Sequence, residues 1–152
     1  MHRWSFVPLA LLVASCAGST EPGDISVSVD TEFRLSLGQS ALVEGAELWI
    51  EFRAVPADSR CPPWAYCFWA GDAEVELVVW EAGSLKWKRR DVELHTNPSV
   101  GPLVVTFGVY AVQLVGLEPG FRAEGNREYV VTLRVLRRSL QPGGSDSSQV
   151  AV

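Results

Sequence analysis

The chain has 152 residues, 47% of them hydrophobic and 20% charged, enough for one globular domain and too few for a multidomain assembly. Its 13 Gly and 9 Pro fall short of collagen-like or low-complexity composition, and the apolar fraction is too high for a disordered chain. With 18 Asp+Glu against 13 Lys+Arg and a formal net charge of -5, the chain has no long-range attraction for a polyanion, and the reading includes no nucleic-acid partner.

Residues 1–15 carry Arg3 and then a mostly apolar run ending at Ser15, the layout of an export signal. The run is too short to span a bilayer, which takes about 20 apolar residues. It ends in Val13-Ala14-Ser15-Cys16, an aliphatic residue, two small ones and a cysteine, which resembles the lipobox of bacterial lipoproteins. That resemblance implies that Cys16 is lipidated and becomes the mature N-terminus. Ala17 stands where an aspartate marks inner-membrane retention, so the same resemblance implies the outer membrane of the envelope. A non-lipidated signal and a signal anchor are the alternatives. Several acyl chains on one residue would hold the protein durably, since each buried methylene contributes about 0.8 kcal/mol. Residues 16–24 form the lipidated terminus and a polar tether, residues 25–140 the folded body, and the turn-rich residues 141–152 a disordered tail.

Alternation of period two recurs along the body. It runs through Ile25, Val27 and Val29, then Phe33, Leu35 and Leu37, then Leu48, Ile50, Phe52 and Ala54 among charged neighbours. Ala73, Val75, Leu77 and Val79 repeat it, as do Val131, Leu133 and Val135. Val104 to Val115 is apolar on both parities, as in a strand covered on both faces or crossing between sheets. The phase slips between Trp87 and Val92, predicting a bulge near Arg89-Arg90 or two short strands. Breaks at Gly38, Gly45, residues 81–84, Thr96 to Pro102 and residues 118–120 separate these segments at short intervals. The fold predicted is all-β, a two-sheet antiparallel sandwich of immunoglobulin-like architecture, with a small β-barrel as the alternative.

With Cys16 assigned to lipid, Cys61 and Cys67 remain, and an exported chain with two cysteines left over predicts a disulfide. The ring would be small, worth about 2 kcal/mol by loop-closure entropy, and Pro62 and Pro63 stiffen it further. The stretch Asp58-Ser59-Arg60-Cys61-Pro62, followed by Cys67 and then Trp69-Ala70-Gly71, resembles a motif of a group of uncharacterised bacterial lipoproteins, which implies no activity and no functional residue. Asp58 and Arg60 flank the ring closely enough for an ion pair or for carboxylate bonds to loop N–H groups. Arg60, Trp64, Tyr66 and Trp69 are the candidate binding residues of this loop, for a protein or glycan partner, in an aromatic cluster that also includes Phe68, although Trp69 also reads as a core residue introducing the next strand. A proteinase-inhibitor loop presenting Arg60 to a trypsin-like pocket is a further alternative.

Little else supports chemistry. Once a signal is removed with His2, His95 is the one histidine on which a hydrolase site would have to be built. The cysteine spacing matches no common metal pattern, Glu74 and Glu76 are a pair that occurs on any solvated strand, and no phosphate-binding glycine loop is present. Lys86, Lys88 and Arg90 on one face, with Arg134 and Arg138 on another, read as solvated basic strips. The sequence thus predicts a lipid-anchored envelope lipoprotein, a binding or structural module with no catalytic residue, no cofactor and no metal.

Overall fold

The computed structural model describes residues 24–83, 86–121 and 128–138, which form nine β-strands and no helix. The lipobox, the tether up to residue 23 and the tail lie outside the described residues. The strands are β1 (Ile25–Ser28), β2 (Glu32–Ser36), β3 (Ser40–Glu44), β4 (Leu48–Ala54), β5 (Glu74–Ala82), β6 (Trp87–His95), β7 (Val104–Phe107), β8 (Tyr110–Glu118) and β9 (Val130–Arg137). They make a five-stranded sheet, β1-β3-β4-β5-β6, packed on a four-stranded sheet, β2-β9-β8-β7. Every pairing is antiparallel except the β1–β3 edge. The result is an open β-sandwich, not a closed barrel.

The alternation in the sequence accounts for the layers. Leu48, Ile50 and Phe52 of β4, Val75, Leu77 and Val79 of β5, and Leu133 and Val135 of β9 are all buried in one core. Their in-between neighbours lie on the outer face, because successive side chains on a strand point to opposite faces; most are partly exposed there, and Val78 is fully buried. A fully buried Phe52 contributes about 3 kcal/mol relative to exposure.

Three sequence expectations need correction. Val104 to Val115 is not one strand: β7 and β8 form a hairpin in which Phe107 faces Tyr110. Gly108 takes φ 54° at the first of the two connecting residues, as a hairpin this tight requires. No bulge occurs near Arg89-Arg90, since β6 pairs with β5 residue by residue from Ala82↔Trp87 to Glu74↔His95. The apparent phase slip arises because Trp87 shares the outer face with Arg89 and Asp91, so an aromatic sits where alternation predicts a polar residue. The strand β3, which sequence reading did not place, fills the gap between Gly38 and Gly45.

The topology fixes which connections meet. Strand β4 ends at Ala54 and β5 begins at Glu74, so residues 55–73 cap one end of the five-stranded sheet. At that same end β6 finishes, β3 begins and β1 is entered, because β6 is antiparallel to β5, β3 to β4, and β1 parallel to β3. The short turn from Ser36 to Ser40 puts the end of β2 there too, and with it the close of β8 and the start of β9. This is the loop end of the sandwich.

Candidate functional site

The residues 55–73 connection is held by three sets of contacts. At its base the two limbs run side by side: Asp58 bridges Ala73, Ser59 N–H donates to Asp72 O at 2.7 Å, and Glu74 N–H donates to Ala57 O at 2.9 Å. Gly71 lies so close to the other limb that a Cβ there would stand 2.0 Å from the Ser59 carbonyl oxygen. Higher up, Cys61 and Cys67 form the expected disulfide, with Cα atoms 5.8 Å apart.

Between base and ring sits Arg60. Its Nε donates to Asp58 Oδ1 at 2.9 Å and its Nη2 to Asp58 Oδ2 at 2.8 Å, the two-point geometry a guanidinium and a carboxylate favour. Its remaining N–H groups donate to Leu117 O at 2.9 Å, at the end of β8, and to Phe121 O at 3.2 Å. Asp58 also accepts from the Arg60 backbone N–H at 3.0 Å and from the Tyr129 hydroxyl at 3.0 Å. Burial pushes the Asp58 carboxyl upward, but these bonds and the Arg60 charge outweigh it and hold the group below its ordinary 3.8.

Arg60 is therefore not a contact residue of the loop. It is 9% exposed and fastens the loop to the β8–β9 connection, so it cannot offer its charge to a trypsin-like pocket. Both expected roles of Asp58, ion pair and N–H acceptor, are realised together.

The tip is different. Trp64, Tyr66, Phe68 and Trp69 are 60%, 106%, 94% and 81% exposed. The core reading of Trp69 is overturned: paired limbs below it and the ring beside it carry residues 63–70 into solvent. Phe68 stands in solvent with the other three, as the aromatic cluster of the sequence predicts. Trp64 meets Phe121 edge to face, with centroids 5.8 Å apart, and Phe68 lies 6.2 Å from Trp69. From Cys61 to Gly71 the chain contains no Asp, Glu, Lys, Arg or His.

His95 closes β6 beside this loop. Its Nδ1 is 2.6 Å from Asp72 Oδ2 and its Nε2 is 2.8 Å from Glu93 Oε1. Asp72 accepts in addition from Thr96 Oγ1 at 3.2 Å and from the Asn97 backbone N–H at 2.8 Å, and Asn97 Nδ2 donates to Ala70 O at 3.3 Å. The ring is 9% exposed and lies against Gly101, where a Cβ would fall 2.0 Å from its Cδ2. Its hydrogen bond to Asp72 raises the pKa above 6.5 against the effect of burial, with Glu93 adding to the rise. Asp72 is held below 3.8: burial opposes this, and the bonds from His95, Asn97 and Thr96 prevail. Across the strand pair, desolvation and the neighbouring Glu93 carboxylate raise Glu74 above 4.5.

Chemically this is an imidazole ring clamped between two carboxylates. Both ring nitrogens are committed to carboxylates, so neither is free to take a proton from a nucleophile. The clamp ties the 55–73 loop to the 96–103 connection. Its pH dependence has a definite sign. A raised histidine pKa adds stability that is complete below 6.5 and lost as pH rises through the folded value, and a lowered Asp72 pKa adds stability lost as pH falls below 3.8. Urea midpoints should therefore be higher near about pH 5.5 than near about pH 9, and His95→Gln should shrink that difference. An equal difference in the variant would show that other groups carry it.

Elsewhere, Trp49, Trp80 and Trp87 line a shallow hollow of about 400 Å³ on the outer face of the five-stranded sheet. Trp49 pairs with Trp80 across β4 and β5 near the end opposite the loop. Of the expected solvated basic strips, Lys86, Lys88 and Arg138 are exposed, whereas Arg90 lies 4.4 Å over the Phe107 ring and donates to Thr106 O, and Arg134 pairs with Glu32. Among the described residues no group of three or more His, Cys, Asp and Glu is placed to hold a metal ion. Compared with protein-family models, curated proteins and solved structures, the chain matches none.

Proposed function

We propose that this chain is a lipid-anchored protein of the bacterial envelope, acylated at Cys16 and carried in the outer membrane, whose contact surface is the aromatic tip of the Cys61–Cys67 loop. The observation that supports this reading is the pairing of a rigid base with an uncovered tip. Arg60, the disulfide and the Asp72–His95 clamp fasten the loop at separate points, while four adjacent aromatic residues are left in solvent. A soluble domain gains nothing in stability from such exposure, whereas aromatic groups on a stiff support lose little conformational entropy when covered. The lipobox resemblance supplies the anchor and the setting.

Two measurements in the native envelope test the reading. Cys16→Ala should move the protein from the membrane fraction to the soluble one and abolish fatty-acid labelling. A photo-cross-linking residue at Tyr66 should form adducts that the same residue at Thr106, exposed at the opposite end, does not. Membrane retention without label in the wild type would sink the anchor, and equal adduct yields would sink the contact surface.

A further inference from the structure

The loop end carries more apolar surface than its aromatic tip alone. Beside the tip, the connection from Thr96 to Pro102 is also without a charged residue and exposes Val100, and the β2–β3 turn exposes Leu37. Among the exposed large hydrophobic residues described, Trp87 alone lies at the opposite end; Val104 opens β7 opposite Gln113 and Val115 lies between Leu114 and Gly116 of β8, both at the middle level of the four-stranded sheet. The uncharged surface therefore belongs to one pole of the molecule, built from three connections, two of which, residues 55–73 and 96–102, are joined by the contacts of Asp72 with His95 and Asn97.

The chain approaches from that pole. Ile25 faces Ala41, which faces Ile50 and then Val79, so β1 starts midway up the sheet and its preceding residue comes from the loop end. The residues between Cys16 and Asp24 reach at most about 30 Å when fully extended. A nine-residue strand such as β5 is itself about 30 Å long. A lipid on Cys16 would thus keep the domain within about its own length of the bilayer. Facing the loop end inward needs no reversal of the chain, whereas facing the Trp87 end inward does.

We infer that the Cys61–Cys67 loop docks into the interfacial region of the same bilayer that holds the lipid, with Trp64, Tyr66, Phe68 and Trp69 as the inserted side chains. This rests on the proposed acylation of Cys16 and specifies what the contact surface meets. A protein contact surrounds its apolar core with a polar rim, and a glycan pocket needs convergent polar groups; apart from backbone groups, this tip offers one hydroxyl and two indole N–H groups and no charged residue from Cys61 to Gly71. Rings with an apolar body and one polar edge are what the membrane–water boundary selects, and the absence of charge removes the main cost of entry. Tethering raises the effective concentration of the bilayer, so that weak interfacial affinity suffices.

The test uses mature protein purified from membranes and reconstituted into phosphatidylcholine vesicles with brominated acyl chains, after mass analysis of Cys16. Bromine should quench the tryptophan emission of the wild type relative to unbrominated vesicles, and that quenching should fall to background in Trp64→Phe/Trp69→Phe. The substitution keeps both rings apolar at uncovered positions, and an unchanged unfolding midpoint would show that the fold is kept. Acylated protein whose emission is unaffected by bromine would overturn docking and leave the anchor standing. Quenching that persists in the double variant would place the Trp49, Trp80 and Trp87 face on the bilayer instead. Absence of an acyl group at Cys16 would overturn the anchoring and this inference with it.

Discussion

Arg60→Ala should cost about 3–5 kcal/mol of folding stability, the range for removing one partner of a buried ion pair. The carboxylate of Asp58 would stay buried with the Tyr129 hydroxyl and the residue-60 backbone N–H but no counter-charge, and the carbonyls of Leu117 and Phe121 would each lose a donor. Against a total of about 5–15 kcal/mol for a domain, such a loss is severe. Urea denaturation gives the number. Arg60→Lys should recover little, because an ammonium group cannot meet two carboxylate oxygens and two carbonyls from one rigid plane. In Asp58→Ala/Arg60→Ala the uncompensated charge is gone, so the double variant should lose less than the two single losses added together. Strict additivity would show that the pair does not act as a unit.

Gly71→Ala should be the second most damaging change, at about 1–3 kcal/mol or more by the cost of forcing atoms into filled space. The added carbon would lie 2.0 Å from the Ser59 carbonyl oxygen and 2.6 Å from the Arg60 Cα. Those are backbone atoms, so relief requires the limbs to part, which breaks the Ser59–Asp72 bonds and shifts Arg60 off its partners. Gly116→Ala is the control: nothing lies within 4 Å of a Cβ there, and its stability should change by less than about 0.5 kcal/mol. Comparable losses at both positions would mean that close approach is not what Gly71 provides. Thermal or urea unfolding of the two variants decides it.

These two effects sit where the sequence was hardest to read. The strands β4, β5 and β9 were legible because one buried face imposes strict alternation, and the disulfide because the cysteine count left one pair. Residues 55–73 have no period, and their structure depends on partners far along the chain. Arg60 reads as an exposed basic side chain until β8 supplies Leu117 O, 57 positions away. Asp72 and His95, 23 positions apart, meet because β5 and β6 pair with Glu74 opposite His95, a register that neither segment reveals alone. Trp69 misled for a related reason: an aromatic residue near the start of a strand usually points inward, but here the paired limbs carry it into solvent. The outer-face tryptophans were hidden by the same habit, since Trp49 and Trp80 occupy parities at which alternation predicts polar groups.

The open edges of the sandwich have a consequence for how copies meet. Each sheet ends in strands with unpaired backbone groups, β1 and β6 in one and β2 and β7 in the other. Strands β1 and β7 are four residues long, too short to template an incoming strand over any distance. The longer β6 carries Lys88, Arg89, Arg90, Asp91 and Glu93 along its length, and β2 carries Glu32 and Arg34. Two molecules aligning either long border would have to desolvate those ions on both sides at once. Crowded copies are thereby kept from zipping into continuous fibrils, although the sandwich never closes on itself.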